Sequence, residues 1–189
     1  RKICLVSGAG GHLTQILKVK GYLDGHDVVL VTHWNPHLAD LRIDCPTLFV
    51  TRILRNPVRF LVNAIQSVRI LLREWPDLVI TAGSGEAVPL FIIARALGRR
   101  VLFIESFARV RTPSLTGRAL RRFATDTFVQ WEPLVSNFPR ARFVGPIFET
   151  RAPSAVPPRI RVFLTVGTQT RGFERLVRAM DDLAAARDR

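Results

Sequence analysis

Lysine is nearly missing from this chain. Of its 28 Lys and Arg residues only Lys2, Lys18 and Lys20 are lysines, and acidic residues number 15, so a formal net charge of +13 rests on arginine. Such a surplus favours anionic partners: nucleic acid, acidic lipid headgroups or phosphorylated substrates. Arg grips phosphate through two parallel donors, which Lys does not. A compositional bias of the source genome is the other origin of such a count. The two cysteines, Cys4 and Cys45, have no metal-ligand spacing; a reduced compartment without a disulfide framework fits them. There is no Asp-x-Asp pair and no His/Cys cluster with ligand spacing, so no metal is expected. No run reaches the ~20 apolar residues that cross a bilayer, and no signal peptide opens the chain. It begins at Arg1 without a Met, so residues upstream are expected to be missing. No RNA- or DNA-binding signature is visible, and nucleic acid is not an expected partner despite the charge.

What is present is a packed core. Hydrophobic residues make up 48% of the 189 positions, and Gly and Pro are unexceptional, which argues against disorder. Short apolar runs at 2–7, 27–32, 47–51, 77–81, 100–104, 126–130 and 142–144 read as strands. Helical spacing follows the first run at Leu13, Ile16, Leu17 and Tyr22-Leu23, then recurs over Pro57–Glu74, 86–97 and 114–124. Alternating strands and helices predict an α/β, doubly wound, mostly parallel Rossmann-like sheet over residues 1–150. Residues 151–159, with three prolines, read as a linker. Beyond it, 160–166 predicts a strand and 173–186 a helix. This pair either completes the first domain or begins a second, incomplete one.

In doubly wound sheets ligands sit outside the carboxyl ends of the strands, so the residues after each strand come first. Gly8-Ala9-Gly10-Gly11-His12 joins the first strand to the first helix. Its glycines permit a tight turn, and its N–H groups with the helix dipole favour an anion. A dinucleotide fingerprint needs a glycine where Leu13 stands and an acid after the second strand, which closes on Thr32-His33-Trp34. No Gly-Lys-Ser/Thr follows, so a Walker loop is excluded too. A phosphate or diphosphate site, or an unliganded turn, remains. Gly83-Ser84-Gly85-Glu86 repeats the arrangement after the strand at 77–81. Glu105-Ser106-Phe107-Ala108-Arg109 follows the strand at 100–104. Glu105 there either orients sugar hydroxyls, serves as a base, or pairs with arginine at the surface; Arg109 and Arg111 suit phosphate. His12 suits a general base or a donor to phosphate.

The helix at 57–74 carries more apolar residues than one sheet face needs, with a narrow stripe of Arg59, Asn63, Gln66, Arg69 and Arg73, and with Arg52 and Arg55 before it. Either an interfacial membrane contact or burial between sheet and partner accounts for it.

At these residues the chain resembles a known family, the acceptor-binding, membrane-anchoring subunit of the two-subunit UDP-N-acetylglucosamine transferase of lipid-linked oligosaccharide synthesis, with PssD-type bacterial relatives in exopolysaccharide synthesis. The matching pieces are SGAGGHLTQ (7–15), TAGSGEAVP (81–89), IESFARVRTPSLTGRAL (104–120) and DTFVQW (126–131). The glycine loops are shared with glycosyltransferases such as MurG. The resemblance implies the N-terminal, acceptor-side half of a GT-B glycosyltransferase. It would transfer a sugar from a UDP-sugar to a polyprenyl-diphosphate-linked acceptor, with inversion and without a metal or other cofactor. Gly8, Gly10, Gly11 and His12, with Gly83, Ser84 and Gly85, would cradle the acceptor diphosphate. Glu105 and His12 would act in catalysis, with Ser106 and Arg109 binding substrate. Residues 161–177 (RVFLTVGTQTRGFERLV) resemble the opening of the donor-binding partner, so Thr165, Gly167 and Thr168 would begin its facing loop. Expected partners are that donor-binding subunit or domain, a lipid-linked acceptor and a membrane surface, with the protein peripheral on the cytoplasmic face. The alternative is a non-catalytic membrane scaffold that recruits a partner glycosyltransferase. The family's helical or membrane-spanning segment before the first strand is not among these residues, so attachment is expected through helix 57–74, through missing residues, or not at all.

Overall fold

The structure is a computed structural model that describes residues 1–39, 41–148 and 174–187. The chain divides into two units, Arg1–Thr150 and Arg151–Arg189.

In the first unit, strands β1 (Lys2–Val6), β2 (Asp27–Thr32), β3 (Thr47–Phe49), β4 (Leu78–Thr81), β5 (Arg100–Ile104), β6 (Asp126–Val129) and β7 (Ala141–Phe143) form one sheet. Its order is β3-β2-β1-β4-β5-β6-β7, and every described pairing is parallel. Parallel strands need crossovers, and helices α1 (Gly11–Lys20), α2 (Pro57–Glu74), α3 (Ala87–Ala96) and α4 (Leu115–Leu120) supply them. This is the doubly wound Rossmann-like sheet that the alternating pattern predicts.

Strand side chains alternate between two cores. Cys4, Val6, Val29, Val31, Val79, Val101, Phe103 and Val129 face α2, α3 and α4. Ile3, Leu5, Val28, Leu30, Ile80 and Ile104 face α1, through Leu13 and Ile16. The α1 face is covered less completely. Between Val19, Tyr22 and Leu23 and the strand residues Leu78, Leu102 and Phe128 lies an apolar cavity of about 440 Å³.

Three elements differ from the sequence reading, among them a 3-10 turn at Pro36–Leu38 that it did not place. The helix expected over 114–124 closes at Leu120, where the chain tightens into turns that hydrogen-bond the N–H groups of Phe123 and Ala124 to Leu120 O. A 3-10 helix at Glu132–Asn137, opened by Pro133, has no periodic signal in the sequence. In the second unit α5 (Glu174–Arg187) carries an i,i+4 pair, Glu174–Arg178. The expected linker at 151–159 and strand at 160–166 lie outside the described residues.

Candidate functional site

The strand order reverses between β1 and β4, and Val6 pairs with Thr81 at their carboxyl ends. A crevice opens at such a reversal, because the crossovers on either side leave in opposite directions. Both glycine loops start there and are bonded to each other. Gly8 N–H donates to Ser84 Oγ at 2.7 Å, and His12 Nδ1 lies 2.9 Å from Ala82 O. A carbonyl only accepts, so Nδ1 carries a proton here, and in the tautomer with that one proton Nε2 is the lone-pair nitrogen. Gly10 (φ 107°) and Gly83 (φ 102°) occupy backbone space that disfavours a side chain, and Ser84 holds φ 94° without being glycine. Strain of this kind, at the same residue that joins the loops, marks a site the surrounding structure over-determines.

The loops have a closed inner end and an open outer end. A Cβ on Gly8 would lie 2.8 Å from Glu86 Oε2 and 3.1 Å from Ser84, whereas Gly11 and Gly85 have nothing within 4 Å of that position. Gly8 N–H is taken by Ser84, Ala9 N–H reaches His33 Nδ1 at 3.5 Å, and Gly83 N–H donates to Thr81 Oγ1. Gly8 was expected in the anion cradle; side chains fill that end instead. The open positions are Gly11, at the head of α1, and Gly85, before α3.

Two residues at this edge were not among the expected site residues. His33, directly after β2, is 5% exposed. Burial holds its pKa below the usual 6.5; Glu86 opposes that shift and Arg52 adds to it. Glu86 turns away from capping α3, and its Oε1 lies 3.9 Å from His33 Nδ1. The rule that residues just after strands face the ligand points to both positions.

Glu105 was expected to meet a sugar. Its side chain is 0% exposed, with Oε1 accepting from Ser106 N–H (2.8 Å) and Oε2 from Ser114 N–H (3.0 Å). The carboxylate closes a loop around itself, and Gly117 leaves it room, since a Cβ there would collide with Glu105 Oε2. Ser106 is buried with it. Gln15 Oε1 accepts from Phe107 N–H and Gln130 Nε2, and Gln130 Oε1 accepts from Ile147 N–H. Trp131 Nε1 donates to Phe107 O. The buried amides thus tie α1, β6 and the loop after β5 together. Arg109, Val110 and Arg111 are exposed at that loop's tip.

A family model described as "Oligosaccharide biosynthesis protein Alg14 like" matches residues 51–147. A UDP-N-acetylglucosamine transferase subunit ALG14 from Mus musculus is 30% identical, over 77% of this chain and 82% of that one. The chain belongs to the Alg14-like family. Another such subunit, from Schizosaccharomyces pombe, is 35% identical over 37% of this chain and 36% of that one. Among solved structures, MurG from Acinetobacter baumannii superimposes with a TM-score of 0.65 at 22% identity, covering 83% of this chain and 48% of that one. UDP-N-acetylglucosamine 2-epimerase from Rickettsia bellii gives 0.64 at 14%, covering 77% and 45%. The chain thus spans about half the length of these structures, whose likeness confirms a Rossmann-like half of the GT-B type.

The span matched by the Alg14-like model begins at Thr51, which anchors α2, and ends at Ile147, whose N–H meets Gln130. It takes in Glu105, its loop, Gln130 and the second glycine loop, while Gln15 and the first loop lie outside it. Thr165, Gly167 and Thr168 lie outside the described residues. Among the described residues no group of three or more His, Cys, Asp or Glu side chains is placed to hold a metal.

Proposed function

We propose that this Alg14-like chain is the acceptor-side half of a GT-B glycosyltransferase. The enzyme would move a sugar from a UDP-sugar to a polyprenyl-diphosphate-linked acceptor, with inversion, without a metal, and at the cytoplasmic face of a membrane. The observation that carries this reading is the joining of two glycine loops at the strand reversal, with their open ends at Gly11 and Gly85. Family membership supports it. N–H groups at the head of α1 and beside Gly85 bind the acceptor diphosphate, aided by the α1 dipole. His12 holds its proton on Nδ1 toward Ala82 and offers Nε2 to the acceptor hydroxyl as general base. Glu105 acts as a positioning residue, fixing the loop that presents Arg109 toward developing phosphate charge. Thr165, Gly167 and Thr168 begin the facing donor loop, and a partner subunit or further domain supplies the rest of the UDP-sugar site.

The test reconstitutes the chain with its donor-binding partner and follows UDP release on a polyprenyl-diphosphate sugar. Replacing His12 by Ala should lower kcat by about 10²–10⁴-fold while partner binding persists. Full turnover by the variant ends the base assignment. It would favour the second reading, a non-catalytic membrane scaffold for a partner glycosyltransferase, to which the burial of Glu105 already lends weight.

A further inference from the structure

One ring nitrogen beneath the first glycine loop has two partners. His33 Nδ1 lies 3.5 Å from the backbone nitrogen of Ala9, within reach of its N–H, and 3.9 Å from Glu86 Oε1. The partners require opposite states of the ring. An N–H donates only to a lone pair, so the Ala9 contact needs Nδ1 bare and the proton on Nε2. A carboxylate attracts Nδ1 only when that nitrogen carries a proton. His33 is buried and the Glu86 side chain is 12% exposed, so little water screens either contact. The ring therefore serves one partner at a time. Ala9 is where that choice matters. It joins buried Gly8, packed against Ser84 and Glu86, to exposed Gly10 and Gly11 at the head of α1. Gly10, at φ 107°, has no Cβ to stiffen the link, so the loop takes its direction from the buried side.

We propose that His33 is a positioning residue for the first glycine loop. Its Nδ1 holds Ala9 N–H while the ring is neutral and transfers to Glu86 Oε1 when the ring is protonated, which frees Ala9 and weakens anion binding at the head of α1. The step moves one proton from solvent onto Nδ1 and exchanges one hydrogen bond for another. Among the described residues, Glu86 and Arg52 are the charged groups that face the ring, from the loops after β4 and β3. Burial and Arg52 oppose the proton and Glu86 favours it, with burial the largest effect. The clamped state thus holds at pH 7 and release comes in acid. The added charge meets Glu86 rather than a ligand, so loss of the clamp decides the sign. The link to anion binding rests on the proposed diphosphate reading of this loop; the exchange of partners does not.

NMR of the full chain without ligand, from pH 8 to pH 4, reads the exchange. At pH 8 the His33 ring should be the Nε2–H tautomer, and the Ala9 amide should titrate with it. Glu86→Gln should move their shared midpoint to lower pH. His33→Asn, whose Oδ1 accepts but takes no proton at these pH values, should hold the Ala9 amide fixed. Binding of a short-chain prenyl-diphosphate sugar, whose diphosphate diester keeps its charge over this range, reads the consequence. Affinity should fall about fivefold on protonation of His33, the worth of one neutral hydrogen bond. His33→Ala should bind at the weak level throughout. His33→Asn should restore the tight level and remove that step, which a merely structural role would not do, and it carries the readout should His33→Ala fail to fold. An Ala9 amide that ignores the His33 ring, or an Nδ1–H tautomer at pH 8, overturns the exchange. Exchange with an affinity flat in pH overturns its effect on binding. Exchange with no prenyl diphosphate bound at any pH leaves the positioning standing and sinks the acceptor reading.

Discussion

At the scale of single residues, the site is governed by atoms with no room to move. Gly117 lies in a helix, where Ala is ordinarily better by about 1 kcal/mol. A Cβ at this position meets Glu105 Oε2, with Phe138 and Ser114 each 3.1 Å away, and overpacking of a filled interior costs about 1–3 kcal/mol. The clash wins because Glu105 is wholly buried and has no solvent to swing into. Gly117→Ala should therefore lower the thermal midpoint. His33 makes the second prediction. Its folded pKa lies below the usual 6.5, chiefly through burial. Below pH 6.5 the unfolded chain takes a proton that the folded protein resists. Stability is fully present above that pH, falls as pH drops, and levels off once the folded histidine is also protonated. His33→Gln should flatten the denaturation midpoint between pH 7 and 5. Neither effect was legible in the sequence, where His33 served only to exclude a dinucleotide site and Gly117 was one letter of a motif. Both depend on which side chain arrives from elsewhere in the chain.

At the scale of elements, periodicity carried most of the information. The bounds of α2 follow from Asn56, whose side chain accepts from Arg59 N–H, from Pro57 in the first turn, and from Trp75 in the left-handed conformation. All are local, so the helix was readable as Pro57–Glu74. Which face it buries was not readable, since periodicity reports a stripe and not its direction. Thr51 decides that, and Asn63→Ala should cost about 1–3 kcal/mol by leaving Thr51 O unpaired, measured by chemical denaturation. Replacing both Ser67 and Asn63 by Ala should cost less than the sum of the two single changes, since their side chains share one bond. The 3-10 helix at Glu132–Asn137 was missed for a related reason. It is held by turns such as Leu134 N–H to Trp131 O, without an apolar repeat.

At the scale of the molecule, the described fold presents one wall of a crevice. The loops after β1, β4 and β5 meet at one edge, while the apolar cavity lies on the α1 face and includes none of the glycine-loop residues. Activity is therefore expected only with a donor-binding domain or partner present. The isolated chain should show no UDP release on a polyprenyl-diphosphate sugar, and turnover by it alone would refute the proposed division of labour. The sequence by itself determined the α/β class, the strand positions and the glycine loops, because alternation, helical spacing and turn glycines are properties of neighbours along the chain. Tertiary structure alone decided that side chains fill the inner end at Gly8, that Glu105 is a buried brace, and that α2 faces outward. Each of these is settled by a hydrogen bond or a collision between residues far apart in sequence, such as Gly8 with Ser84, Gly117 with Glu105 or Asn63 with Thr51.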